Sequence, residues 1–485
     1  MINQHNIAFL LFNGVLWGVL SPLIIFVLFS IKSIRDGKFT FLSVLAGMLS
    51  LISAIYLCAL TSPIVPSVWT FPWFDQAGQI WFELGFYLDS VSVTMGLFAL
   101  LFVTLWQIKV LKSQDGLEAI KDRGAFFQSH ALLLFSLQIT AYAPSFFQLS
   151  LGLVLSSLSL LWLSYAYTGT CTSSKFNLNQ IANLALIIIP LLMTVKLGSF
   201  DWEISSELAI DQDQIKFWSQ SLGFAWLLMI FLSASTFFQT PQHTLIMLAL
   251  GAFSIIRTWS FYHYLPEVLD AMMGLALILG LFGTFFAIKA DSAQKTIQGL
   301  ALMSLAWVFS ALAITHPDGA YLALFILSAA ILSLFFLADI RAINQIPRFN
   351  AYLWVTAICV AFTLPFGLFW VISSIAEALF VESLSKAILC IFVILQSMLS
   401  FKVLALIKKD VPTTDLSMSW YHDFVLLPLM VIYALMGFFS SFFDIKWSLY
   451  GNVSQNLPYV WVIILACALV GSLIGFQVFV RNPKR

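Results

Sequence analysis

Charge is what this chain has least of. Of its 485 residues only 9% are Asp, Glu, Lys or Arg, 61% are hydrophobic, and the formal net charge is zero. Without a basic excess there is no electrostatic case for a nucleic-acid partner. With so few charges, a soluble domain of this length has no surface to offer water. Metal and redox chemistry are equally ill provided for. The five cysteines (Cys58, Cys171, Cys359, Cys390, Cys467) form no CxxC pair, and the six histidines show no metal-ligand spacing. No nucleophile–base set is visible, so no catalytic, cofactor-binding or metal-binding residue is assigned. The stretches between apolar runs reach roughly 25 residues, well under domain size, so no soluble catalytic domain is expected in a loop. Residues 1–6 lack the basic segment of a signal peptide, and the first apolar run is expected to stay as a span.

What is present is a series of apolar runs, each about 20 residues long and able to cross a bilayer as a helix. The chain reads as an all-α polytopic membrane protein of about fifteen transmembrane helices. Their expected extents are 7–30, 41–60, 86–108, 125–143, 147–167, 181–197, 220–238, 244–262, 268–288, 297–314, 321–338, 352–375, 384–407, 421–443 and 459–480. The loops alternate in charge. One set carries Lys32, Arg35, Lys38, Lys109, Lys112, Lys121, Arg123, Lys175, Lys289, Lys295, Arg341, Arg348, Lys402, Lys408, Lys409, Arg481, Lys484 and Arg485; the other carries only Lys196, Lys216, Lys386 and Lys446. Positive loops stay cytoplasmic, which places the N-terminus outside and the C-terminus inside a cell (inner) membrane. The outer loop 61–85 has no Lys or Arg and carries Trp69, Trp73 and Trp81, an interfacial aromatic cap. The outer loop 198–214 is acidic, with Asp201, Glu203, Glu207, Asp211 and Asp213. It is either a cation-attracting mouth or a plain solvated loop.

Two prolines interrupt this pattern. Phe237-Phe238-Gln239-Thr240-Pro241-Gln242-His243 separates the runs 222–238 and 244–262, and Leu364-Pro365-Phe366-Gly367 falls inside the run 352–375. Proline removes a backbone donor and breaks a helix. In a bilayer such breaks survive only where the freed groups face protein or a water-filled cavity, and transporters place substrate and ion sites there. A tight turn at Pro241 and a proline kink at Pro365 are the simpler alternative. Ionisable residues inside spans are also informative. Arg257 is either a fixed cation facing an anion path or partner, or a side chain that snorkels outward to pair with Glu267 or Asp270. His243 is a titratable group at the break or a capping residue. Asp89 opens a span and suits an N-cap better than a relay. Glu377 and Glu382 lie just past the second break, and Lys196 ends the sixth run.

Several segments, in order, resemble the antiporter-like membrane subunits of respiratory complex I, of Mrp cation/proton antiporters and of the DAB-type inorganic-carbon uptake system. They are Leu88-Asp89-Ser90-Val91-Ser92, similar to a Leu-Asp-x-x-Ser helix start; Arg123-Gly124-Ala125-Phe126-Phe127; Lys175-Phe176 with Gln180-Ile181-Ala182-Asn183; Gln239-x-Pro241-x-His243; Pro266-Glu267-Val268-Leu269; Asp291, Lys295, Met303 and Ser304; and Leu364-Pro365. The similarity runs over about 85–380. It implies two inverted five-helix repeats, each with one broken helix, making Pro241 and Pro365 counterparts. The implied divisions are 1–110 for the first three helices, 111–265 and 266–410 for the repeats, and 411–485 for the last helices. In size, and in ending on a short basic tail, the chain looks most like the DAB-type subunit.

The resemblance also shows what has been lost. The family's buried Glu falls on Val154, the Lys before the first break on Thr236, a later Lys near Ile331 with its histidines near Ala323 and Leu327, and the last Lys near Ser374. Val and Ile cannot titrate, and Thr and Ser keep their protons near neutral pH. Ser156, Ser157, Ser159, Ser233, Ser235 and Thr236 either hold water wires or simply pack helices. The candidate ion path or helix break therefore comprises Thr236, Gln239, Pro241, His243, Arg257, Lys295, Pro365, Ser374 and Glu377. The implied function is a membrane subunit of a multi-subunit ion-coupled complex. The implied partners are lipid, other subunits and a soluble zinc protein resembling a carbonic anhydrase. The alternatives are a proton-translocating or scaffold subunit of a complex I-like NADH:quinone oxidoreductase or membrane hydrogenase, and a docking platform without transport of its own.

Overall fold

The structure is a computed structural model that describes residues 4–31, 41–60, 67–76, 79–112, 120–169, 241–259, 265–314, 383–409 and 458–481, with scattered positions between 185 and 227. It divides into two compact units, Met1–Val268 and Leu269–Arg485. The expected spans 321–338, 352–375 and 421–443 lie outside the described residues, and 181–197 and 220–238 are represented only by scattered positions.

The first unit contains α1 (Gln4–Phe29), α2 (Phe41–Leu60), β1 (Ser67–Gln76), β2 (Gln79–Leu88), α3 (Ser90–Lys112), α4 (Arg123–Ala141), α5 (Phe146–Thr168) and α6 (Pro241–Arg257). Local chemistry fixes several of the ends. The Asp122 side chain accepts from the Ala125 amide at 2.9 Å and starts α4. Ser145 does the same for α5 through the Gln148 amide. At the other end of α5, Gly169 adopts φ 67°, a left-handed conformation that ends the helix at little steric cost. Helix α4 is buried on nearly every side. A helix that is apolar all round belongs at the centre, and α1, α2, α3 and α5 pack around it.

Residues 67–88 correct the all-helical expectation. Where an outer loop was expected, β1 and β2 form an antiparallel hairpin, with Trp69 opposite Phe86 and Phe71 opposite Leu84. The third helix consequently starts at Ser90 rather than 86. The cause is visible in the chain: Trp69, Phe71, Trp73 and then Leu84, Phe86, Leu88 recur with period two, around Ala77-Gly78. A span-length hydropathy window averages that alternation away. Pro72 is tolerated because a two-stranded ribbon has a free edge, and the register shifts beside it. The hairpin packs onto the bundle. Leu88 joins Val15, Val19, Leu57, Val93, Ala141 and Tyr142 in one buried cluster, and Trp69 and Phe86 press against it.

The second unit contains α8 (Ala293–Ala313), α9 (Ser383–Lys409), α10 (Pro458–Gly475), a π-helical turn Phe476–Arg481, and most of α7 (Pro266–Lys289). Helix α8 is buried on almost all sides. Helix α7 presents Ile278, Leu281, Phe282, Phe285 and Ile288 outward, as expected of a helix against acyl chains. These two helices nearly touch through Gly283 and Gly299: a Cβ on Gly283 would lie 2.7 Å from the Gly299 carbonyl oxygen. Five described helices are long and apolar enough to cross a membrane: Phe146–Tyr167, Pro266–Lys289, Ala293–Ala313, Ile388–Leu406 and Val462–Val480.

Candidate functional site

The strongest electrostatic feature of the first unit is built where the hairpin enters α3. Strand β2 ends at Leu88 and the backbone turns directly into the helix through Asp89. The Asp89 carboxylate caps α3: Oδ1 accepts from the Ser92 amide at 2.7 Å and also from the Ser92 hydroxyl. This is the capping role expected of Asp89. Its second oxygen does something the sequence did not disclose. Oδ2 meets Arg257 Nη1 at 2.6 Å, with the two side chains 21% and 7% exposed. The guanidinium carbon lies 3.9 Å from the centre of the Tyr87 ring, a cation–π contact. Arg257 is the last residue of α6, where a cation also complements the negative helix end.

The carboxylate that the structure sets on Arg257 is Asp89, 168 residues away. Reading only along its own loop could not find that partner. The strand carrying Tyr87 is fixed independently. The Tyr87 amide donates to the Tyr142 carbonyl at 2.9 Å. Gln148 exchanges two hydrogen bonds with the Gly85 backbone, each 2.8 Å, as a neighbouring strand would. Hairpin, α3, the α4–α5 turn and α6 thus converge on one ion pair.

The interior of this unit is polar but mostly uncharged. Gln138 Nε2 donates to the Gly18 carbonyl at 2.9 Å, which also accepts from Ser50 Oγ at 2.8 Å. Gln128 Nε2 donates to Ser30 Oγ at 2.9 Å, and Gln107 Nε2 to Ser43 Oγ at 3.0 Å. Ser156 Oγ donates to Ser136 Oγ at 2.9 Å, so this serine ties α5 to α4. Each bond joins two helices, the use expected of small polar groups inside a membrane.

Two ionisable side chains inside spans were missed from the sequence. His130 is fully buried in α4. Its Nδ1 lies 2.9 Å from the Phe126 carbonyl, and its ring sits between Trp106 and Phe126 with centroids 4.8 and 4.2 Å away. Its Nε2 has no hydrogen-bond partner among the described residues. Its place inside the expected span 125–143 was the available signal. Lys402, assigned from sequence to a cytoplasmic loop, instead lies within α9 and is 8% exposed. Its ammonium donates to the Ala287 carbonyl at 2.9 Å and the Ile288 carbonyl at 2.5 Å. These belong to the last turn of α7, whose carbonyls have no partner within the helix.

Of the other candidates, only some fall among the described residues. Pro241 and His243 fall in the first turn of α6, where proline is favoured because its missing donor is not needed. Lys295 is exposed near the start of α8, its amide donating to the capping Ser292 hydroxyl at 3.3 Å. Val154 lies in α5, partly buried. Thr236, Gln239, Ile331, Pro365, Ser374 and Glu377 lie outside the described residues, as do Ala323, Leu327 and Glu382.

No protein-family model matches the sequence, and no curated protein matches it significantly. Solved structures do. A chain of the Mrp complex from Dietzia sp. DQ12-45-1b superposes with TM-score 0.69 at 14% identity, covering 98% of this chain and 57% of that one. This protein therefore spans little more than half the length of that subunit. A chain of respiratory complex I from Thermus thermophilus with bound NADH superposes with TM-score 0.67 at 18% identity, covering 94% and 99% of the two chains. At such identities the likeness speaks for the backbone alone: this chain shares its fold with those chains of the Mrp complex and of respiratory complex I.

Proposed function

We propose that the chain is a multi-pass membrane subunit of a multi-subunit, ion-coupled complex whose own proton path is degenerate. The observation that carries the reading is the state of the buried charges. Arg257 is neutralised by Asp89, and Lys402 is held on two helix-end carbonyls. Where the family's buried acid would stand there is Val154, and the groups bridging α1 to α5 are Gln and Ser. A glutamine amide does not take up a proton near neutral pH, so these bridges hold helices together and do not relay. Proton flux settles the matter: in proteoliposomes under an imposed pH gradient, the purified chain should collapse the gradient no faster than empty vesicles. A rate well above that baseline would refute the reading.

The finer topology belongs to the same proposal: about fifteen spans, N-terminus outside, C-terminus cytoplasmic, and two inverted repeats over 111–265 and 266–410 with breaks at Pro241 and Pro365. The division of the chain near Val268 supports that boundary. Labelling of single cysteines placed in alternate loops tests the orientation. For the complex itself, the DAB-type inorganic-carbon system is the first reading, with a soluble zinc protein resembling a carbonic anhydrase as partner. Its support is the chain's size; the lost charges favour a docking role in either complex. The second reading, a complex I-like oxidoreductase or membrane hydrogenase, draws on the nearly end-to-end match to the complex I chain. Purification from native membranes separates them: a zinc-bearing soluble partner favours the first, and flavin or iron–sulfur subunits favour the second.

A further inference from the structure

Helices α9 and α10 meet along a seam in which three positions on each face one another. Cys467 is a near neighbour of Cys390 across it. One turn on, a Cβ on Gly471 would collide with the Ile394 carbonyl oxygen and lie 2.9 Å from the Ile394 Cα. One turn further, a Cβ on Gly475 would lie 2.6 Å from the Met398 carbonyl oxygen. The facing positions are thus 390, 394, 398 against 467, 471, 475. The two helices run in the same direction with their backbones touching through small residues. Continued one turn back, the same register sets Cys390 opposite Cys467, the relation that a disulfide requires. Both cysteines carry free thiols and both are partly exposed. Their neighbours Ile391, Leu469 and Val470 are exposed. Counting from Ser383 and Pro458 at 1.5 Å per residue, the thiols lie roughly 10 and 14 Å along their helices. That depth is inside the hydrocarbon layer, where lipid-dissolved molecules reach.

We propose that Cys390 and Cys467 are a redox-responsive dithiol that a lipid-soluble quinone closes into a disulfide, stapling α10 to α9. The two thiols lose two protons and two electrons, and a sulfur–sulfur bond forms. The quinone accepts both and leaves as the hydroquinone, so atoms and electrons balance without a further reactant. The bond closes a long loop of the chain, 390–467, and constrains most a state in which α10 has separated from α9.

The test uses the full chain in its own membranes with Cys58, Cys171 and Cys359 replaced by serine. The membranes are treated with a short-chain benzoquinone, blocked with an alkylating agent and mapped by non-reducing peptide mass spectrometry. The expected product is one linked peptide pair joining Cys390 to Cys467, lighter by two hydrogens, reversed by dithiothreitol and lost in Cys390→Ser and Cys467→Ser. Copper–phenanthroline serves as a catalyst that needs only proximity. Absence of the linked pair with both oxidants overturns the geometry, and its appearance with copper–phenanthroline alone overturns the quinone as oxidant. If the triple-serine chain does not accumulate, the same mapping on the natural sequence decides, because the linked pair has a unique mass.

Discussion

Removing one partner of the Asp89–Arg257 pair should cost far more than removing both. A broken buried ion pair leaves a charge without its counter-ion, at about 3–5 kcal/mol, whereas replacing the whole pair by uncharged groups is often close to neutral. The structure also predicts which single change is worse. In Arg257→Met the Asp89 carboxylate keeps its cap on Ser92 and is 21% exposed, so water can approach it. In Asp89→Asn the cap survives, because asparagine caps helices as well as aspartate. However, a guanidinium only 7% exposed then loses its carboxylate. Asp89→Asn should therefore sit at the upper end of that range, Arg257→Met at the lower, and the double variant above either single one in stability. Tyr87→Leu removes the cation–π contact at 3.9 Å and should cost less, about 0.5–2 kcal/mol. The assay is a double-mutant cycle on detergent-solubilised protein, reading the midpoint of thermal aggregation under one fixed heating protocol. Additive single effects, or Asp89→Asn indistinguishable from the parent, would show that the pair does not hold the hairpin to α6.

Gln138→Leu strips one α1–α4 bridge, leaving the Gly18 carbonyl to the Ser50 and Ser21 hydroxyls; a loss of about 1–3 kcal/mol is expected in the same assay. Lys402→Met uncovers two α7 carbonyls inside the protein and should destabilise by a similar amount per carbonyl, whereas Lys295→Met, an exposed change, should stay within about 0.5 kcal/mol. Gly283→Val should abolish folded protein on size-exclusion chromatography, because the atoms it meets, the Gly299 carbonyl and the Met303 amide, are backbone that cannot move aside. Val154→Glu should not raise proton flux in proteoliposomes, since Ser156, two residues along α5, is hydrogen-bonded to Ser136 and neither supplies a base.

Much of the architecture is written in composition. Water cannot be a solvent for a chain this apolar, and a bilayer admits only structures that satisfy their own backbone, so span-length apolar runs become helices almost without regard to their neighbours. That is why the limits of α2, α5, α7 and α9 fall within a few residues of their expected extents. End chemistry was equally local, and Asp89 was identified as a cap because an acid at the start of an apolar run has few other uses. Contacts between distant segments were not legible. The hairpin was lost because its period-two alternation is weak beside the hydropathy of the spans. Arg257 was offered partners nearby in sequence, whereas its carboxylate sits on another helix that only the packing of hairpin, α3 and α6 brings within 2.6 Å. Lys402 reads both as a loop charge and as a member of the run 384–407, and nothing in one dimension shows that α7 ends beside it. Cys390 and Cys467 look unrelated as spacings and become neighbours only through the close packing at the glycines of α10. A bilayer makes each helix a local decision of its own sequence; which side chains then touch is decided by close packing, which depends on every surface at once.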